Sequence, residues 1–424
     1  MTTVKNSYGY LLAILPMIIG AYFSGALYLA PNLPIPVTLF QLGLVFGFVF
    51  FVYSKLAARD IDIQFYGLEK EYVLFLCIIF ISLVYSPERE QGLFYSIRFL
   101  VLILMTYLIY NCINKQKELS TVLMLIVGIS SIIAAYNVYQ FYLNPQIAAF
   151  NFINQGTKLI RSSGFETDPN IFASYLFIPL MCVVCLFERA GNRMKIFWFS
   201  IAGILLLSVL LTYSRSSWVA IFFGLLFISY HKKSLRFPLY CLGAFLVVFI
   251  VSEEIRTTFF SVIDRVGEIF AGKSDDSSRF RIILFQTSIL MWLDSYTFGI
   301  GYQGFSTVFK DYHPPQEVGW VYEPHNEFYT VLSELGTIGF IIFIFIIIKI
   351  INLSYLSLKE YAKQEQDDTL ILALFSSFIC YLIFFQFLGG MQYHTAYMIN
   401  LGLLFSSIKL IKTQKQSWDN SLPS

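Results

Sequence analysis

The sequence predicts an all-α polytopic membrane protein, and three observations carry that prediction. Hydrophobic residues make up 57% of the 424 residues and charged ones 13%, against about 25% charged in soluble domains. Apolar runs of spanning length, about 20 residues, recur along the whole chain. Lysine and arginine, finally, segregate to alternate connections between those runs, as they do when cytoplasmic loops collect them.

Taken in order, the first run extends from Tyr8 to Ala30 behind a single cation, Lys5. It exceeds the ~7–15-residue core of a signal peptide, so a retained first helix is expected. Further spans are expected to start near Ile35, Tyr72, Leu93, Thr121, Pro169, Lys195, Ser216, Leu235, Phe328, Thr369 and His394, which gives about twelve transmembrane helices. The third and eighth are short. No period of about 20–50 residues repeats, which excludes a solenoid. Residues 1–424 read as one integral membrane domain.

Orientation follows from the basic residues. One side collects Lys5, Lys55, Arg59, Lys70, Lys115, Lys117, Arg189, Arg193, Lys195, Lys232, Lys233, Arg236, Lys349, Lys359, Lys363, Lys409, Lys412 and Lys415. The short loops of the other side hold Arg89, Lys158, Arg161 and Arg215. Both termini are therefore expected in the cytoplasm. The one long connection, 253–326 between spans nine and ten, falls on the extracytoplasmic side; loops of that length are usually functional or disordered. Its phenylalanines, Trp320 and the stretch IILFQTSILMW predict an amphipathic helix at the membrane surface.

Several text motifs lose their obvious meaning in this setting. Cys182 and Cys185 have redox-pair spacing, but on an apolar helix they share a face and pack. Gly299, Gly301 and Gly304 spell G-x-G-x-x-G with no preceding strand and no βαβ unit, so they are read as a sharp turn rather than a nucleotide site. No nucleic-acid partner is expected. No His/Asp/Glu/Cys spacing suggests a metal cage, and no serine nucleophile beside a base is identifiable. His231, His313 and His394 are weaker candidates than His325.

The informative residues are cations beside apolar segments. A guanidinium at membrane depth costs about 2.5–3.5 kcal/mol on insertion scales, which makes it a functional candidate. Arg215, in LTYSRSSWVAIFFG, has almost no polar loop to hold it; its bland alternative is snorkelling to the headgroups. Arg161 opens RSSGFETDPN, where Asp168 and Pro169 suit a helix cap and first turn, and Arg161 itself reads equally well as a loop charge. Arg279 and Arg281 lie in SSRFR at the head of the predicted amphipathic helix. His325, in EPHNEFYTVLSELGTIGF, sits at the outer boundary, and Glu334 lies about two turns deeper. A boundary histidine is often structural, yet its pKa range also suits taking a proton from a hydroxyl. A carboxylate such as Glu334 in an apolar run needs a partner, for which an arginine is one candidate. Arginines converging from separate loops suit a phosphate-rich anion. Beside a neutral histidine, that anion reads as a lipid diphosphate leaving group next to a hydroxyl acceptor.

The series R-S-S-G-F-x-x-D-P-N, T-Y-S-R-S-S-W, S-S-R-F-R with D-x-x-x-x-G-I-G-x-x-x-F, and P-H-N-E-F-Y-x-x-x-x-E-L-G-x-x-G resembles the O-antigen ligase and polymerase superfamily, over about Arg161 to Gly339. The resemblance implies an inverting, metal-independent glycosyltransferase of the C-type membrane architecture, with no cofactor, in the bacterial inner membrane. It implies as donor a glycan on undecaprenyl diphosphate, as acceptor a hydroxyl of a glycan or lipid A-core, and membrane lipid as surroundings. Carried over, Arg215 matches the arginine of T-x-S-R, His325 the histidine of H-N and expected base, and Arg161 the loop arginine. Arg281 matches the arginine thirteen residues before Asp294, with Phe285 where the family often has Trp; Arg279 competes for that role. A second reading, a transporter or flippase of lipid-linked glycans, suits twelve spans. Transporter sites lie near the midplane between repeats, whereas these charges gather at one boundary.

Overall fold

The structure, a computed structural model, describes residues 10–23, 28–30, 37–59, 62–143, 149–154, 157–166, 168–237, 239–240, 276–312, 324–363 and 367–419, with isolated positions between 243 and 260. Helices begin within a few residues of eleven of the expected span starts. They are α1 (Leu11–Tyr22), α2 (Leu39–Ala57), α3 (Glu69–Ser82), α4 (Arg89–Cys112), α5 (Gln116–Leu143), α6 (Pro169–Tyr175) with α7 (Phe177–Arg189), α8 (Asn192–Leu211), α9 (Arg215–Lys232), then α10 (Asp276–Asp294), α11 (Phe305–Tyr312), α12 (Glu327–Lys363), α13 (Thr369–Phe384) and α14 (Thr395–Asp419). The expected ninth span, from Leu235, falls largely outside the described residues, as do His313 and Trp320. Six of the described helical segments are long and apolar enough to cross a membrane: α2, α4, α5, α6–α7, α8 and α12; α1 and α13 are shorter apolar helices. The protein is a multi-pass, essentially all-α membrane protein.

Local sequence explains several helix starts. Thr38 and Gln41 form a reciprocal capping box on α2, with N–H···O distances of 3.2 and 2.8 Å. Asp168 caps α6 through the amides of Asn170 (2.6 Å) and Ile171 (3.2 Å), and Pro169 occupies the first turn, as its sequence predicts. The most enclosed span is α6–α7, and α2 the least enclosed. Around that centre α7 and α9 pack on α13, α4 on α14, and α1 on α2. Cys182, Cys185 and Cys380 are buried free thiols in this packing.

Two antiparallel hairpins accompany the helices. The first pairs β1 (Tyr28–Ala30) with β2 (Val37–Thr38), the second β3 (Ala149–Asn154) with β4 (Thr157–Ser162). Arg161, read from sequence as a loop residue, is in β4 opposite Phe150. At the far end of α9 from Arg215, His231 and Lys232 both engage Asp368 ahead of α13, and Lys349 of α12 pairs with Glu71 of α3 at 2.6 Å. Those contacts fasten one end of the bundle. The candidate site lies at the other.

Candidate functional site

Strand β4 delivers Arg161 to the meeting point of two motifs that are far apart in sequence. Its Nε donates to the Thr212 carbonyl at 2.8 Å and its Nη2 to Asn170 Oδ1 at 3.0 Å. Thr212 belongs to T-Y-S-R and Asn170 to D-P-N, so one guanidinium ties the three segments together. Burial pulls its pKa down, and the charge of Asp168 pushes it back up. The guanidinium stays protonated throughout.

The T-Y-S-R turn is built for a tight exit from α8. Tyr213 takes a left-handed backbone (φ 50°), and the Ser214 amide donates to Thr212 Oγ1 at 3.2 Å. Ser214 is buried, its hydroxyl engaged with Ser216 and Ser217. Arg215 is then the first residue of α9, half-buried. An 18-residue helix presents its positive dipole end here, and the arginine adds a full charge to it. Two residues separate this cation from the Thr212 carbonyl that holds Arg161.

Helices α10 and α12 supply the other half of the site. They run side by side in the same direction: Phe280 lies beside His325 (6.5 Å between ring centroids), Phe285 beside Tyr329 (5.0 Å), and Trp292 Nε1 donates to Thr337 Oγ1 at 3.0 Å. The near-constant offset along the chain defines a parallel pair. It brings Arg281, near the start of α10, to His325, just before α12. The Arg281 guanidinium stands 5.8 Å from the centroid of the Phe387 ring. The side chain of Arg279, its sequence competitor, lies outside the described residues.

His325 is held in an unusual posture. Its backbone is left-handed (φ 53°), uncommon for a residue with a Cβ and costing about 1–3 kcal/mol unless the surroundings enforce it. They do. Asn326 caps α12 through the amides of Phe328 (2.9 Å) and Tyr329 (3.1 Å) and donates to the Gln386 carbonyl at 2.9 Å. Glu327, buried, receives the amides of Gly390 (2.7 Å) and Met391 (3.0 Å), while its own amide donates to Phe385 O at 2.9 Å. The asparagine and glutamate of H-N-E thus fix the backbone to the α13–α14 connection at the position that carries the histidine. Burial, then the Arg281 charge, lower its pKa; Asp168 opposes them. Burial and the Arg281 charge both favour the neutral imidazole.

Glu334 has backbone partners. Its carboxylate accepts the amides of Gln303 (2.9 Å) and Phe305 (3.2 Å), the latter opening α11. Backbone bonds join the same places: Ile300 N to Ser333 O and Gly301 N to Glu334 O, both 3.0 Å, and Thr337 N to Tyr296 O, 2.8 Å. Gly299 (φ 73°) and Gly336 (φ 64°) cross here so closely that a Cβ on either would come within 2.4 Å of the other segment's backbone. The glycines read from sequence as a sharp turn are also a close crossing, for which only a missing Cβ suffices.

The structure therefore places Arg161 and His325 each within reach of the Asp168 charge and Arg281 within reach of His325, brings the T-Y-S-R turn against Arg161, and holds the 299–305 turn on Glu334. Sequence reasoning missed Asn170, whose place beside a cap explained it too easily. It also missed Gln386 and Phe387, uncharged residues at the end of an apolar span that carry no signal of their own. Chemically, the assembly offers several guanidinium groups for an anion and a neutral base beside them.

Comparison with known proteins bears on the same residues. No curated protein matches the chain. A family model does, and its description is O-antigen ligase. The match covers residues 200–344, which carry Arg215, Arg279, Arg281, His325 and Glu334.

Proposed function

We propose that the protein transfers a glycan from undecaprenyl diphosphate to an acceptor hydroxyl, of a glycan or of lipid A-core, at the outer face of the bacterial inner membrane. The arrangement that supports this reading is the parallel pairing of α10 and α12, which brings Arg281 near enough to His325 for its charge to lower the imidazole pKa. His325 takes the acceptor's hydroxyl proton. The freed oxygen attacks the anomeric carbon, the bond from that carbon to the diphosphate oxygen breaks, and the configuration inverts. Arg215, Arg281 and Arg161 hold the diphosphate and stabilise the charge that it gains on leaving. A base poised near neutrality contributes about 10²–10⁴-fold, and each oriented anion-binding donor about 10²–10³-fold.

The test is transfer by the purified protein in detergent, with lipid-linked glycan and acceptor supplied. His325→Ala and Arg215→Ala are each expected to abolish product while leaving membrane insertion intact. Full activity in either variant removes that residue from the mechanism. Because no closed compartment exists in detergent, product formation also separates transfer from transport. A strain lacking the protein then tells the two acceptors apart: short uncapped lipid-linked repeats indicate polymerisation, and long polymer stranded on the carrier indicates ligation.

A further inference from the structure

We infer that Asn170 is a positioning residue for the bound diphosphate, one that aims the Arg161 guanidinium without cancelling its charge. The inference rests on the transfer reading above and adds to it a residue which that reading does not use.

Two acceptors hold Arg161, the Thr212 carbonyl on Nε and Asn170 Oδ1 on Nη2. Both are neutral. An arginine oriented by carboxylates spends its charge on them, whereas one oriented by carbonyls keeps a full positive charge for a ligand. Nearby Asp168 has one oxygen engaged by the first two amides of α6 that a cap can reach. The orientation of the Asn170 amide is fixed by chemistry: a guanidinium nitrogen only donates, so the oxygen faces Arg161. The NH2 of the same amide is thereby turned away from Arg161, where it adds a second donor for an anion's oxygens. An aspartate of the same shape would keep the contact with Arg161 and reverse both effects, neutralising the cation and replacing a donor with an acceptor.

This makes Asn170→Asp a variant in which stability and anion affinity move in opposite directions. The Arg161 bond becomes charge-assisted, and a carboxylate in a helix's first turn is favourable, so the melting temperature of the purified full-length protein is not expected to fall. Inorganic pyrophosphate, used as a probe of the diphosphate and read by competition with the lipid-linked donor, is expected to bind at least about tenfold more weakly, as loss of a charged hydrogen-bond partner implies. Asn170→Ala, which frees the guanidinium but keeps its charge, is expected to lose less. Pyrophosphate affinity within twofold of the parent in Asn170→Asp would overturn the inference, as would a loss that only tracks a lowered melting temperature. His325→Ala distinguishes the two proposals. It removes transfer if the transfer reading holds, whereas the inference is judged on pyrophosphate affinity in the two Asn170 variants alone.

Discussion

At the scale of single residues, the site turns on His325 and the charges that face it, Arg281 from α10 and Asp168 ahead of α6. An imidazole normally titrates near 6.5, and this one is held below that value by burial and by Arg281. Transfer should be constant around neutrality and fall as pH drops through the lowered pKa, giving an acid limb in kcat/KM below pH ~6.5. Asp168→Asn removes a charge that raises the pKa, so its limb should move to lower pH. Arg281→Gln should move the limb of its residual activity to higher pH. A limb that stays in place in both variants would show that another group titrates. The four cations and the histidine were legible in the sequence because charge beside an apolar run is expensive and so conspicuous. Asp168 and Asn170 were less so, since a helix cap accounted for both. That Arg281 comes near His325 was not legible, because the pairing of α10 with α12 leaves no mark in the sequence.

At the scale of elements, hydropathy located nearly every helix, but not their pairings. Nothing in the text of α10 announces that it runs parallel to α12, since that pairing depends on a crossing of Gly299 with Gly336 in which the informative feature is an absent side chain. The β3–β4 hairpin escaped for a related reason: six-residue strands carry too little alternation to stand out beside long apolar runs. The crossing yields a clear expectation. Gly336→Ala and Gly299→Ala each force a Cβ to within 2.4 Å of backbone at a positive φ. Each should destabilise by well over ~1 kcal/mol and lower the melting temperature in detergent. Gly128→Ala in α5, where an added Cβ meets nothing within 4 Å, is the matched control and should be neutral or stabilising.

At the scale of the whole molecule, the proposal of an outer-face site rests on the distribution of lysine and arginine and is open to a direct test. A fluorescent reporter fused after Ser424 should mature, and an alkaline phosphatase fused there should be inactive, as expected for a cytoplasmic C-terminus. The opposite pair of results would put the arginines and His325 on the cytoplasmic face and end the proposal of an extracytoplasmic donor. The two ends of the bundle differ in their fastening as well. Ion pairs such as Lys349–Glu71 and Lys232–Asp368 close one end, while the other is held by caps, carbonyl acceptors and aromatic rings.

The parallel pair has a mechanical consequence. α10 and α12 are joined by backbone at Tyr296–Thr337, some twelve residues below His325, which at 1.5 Å per residue is a lever of about 18 Å. Arg281 rides at the far end of α10, and His325 at the far end of α12, which Asn326 and Glu327 fasten to the α13–α14 connection. A change of about 5° in the angle between the helices, pivoting on that joint, shifts one tip against the other by about 1.5 Å, and a misplacement of about 1 Å is enough to cost 10²-fold in rate. The gap between the anion's cation and the acceptor's base is therefore set from below, by two glycines that touch neither.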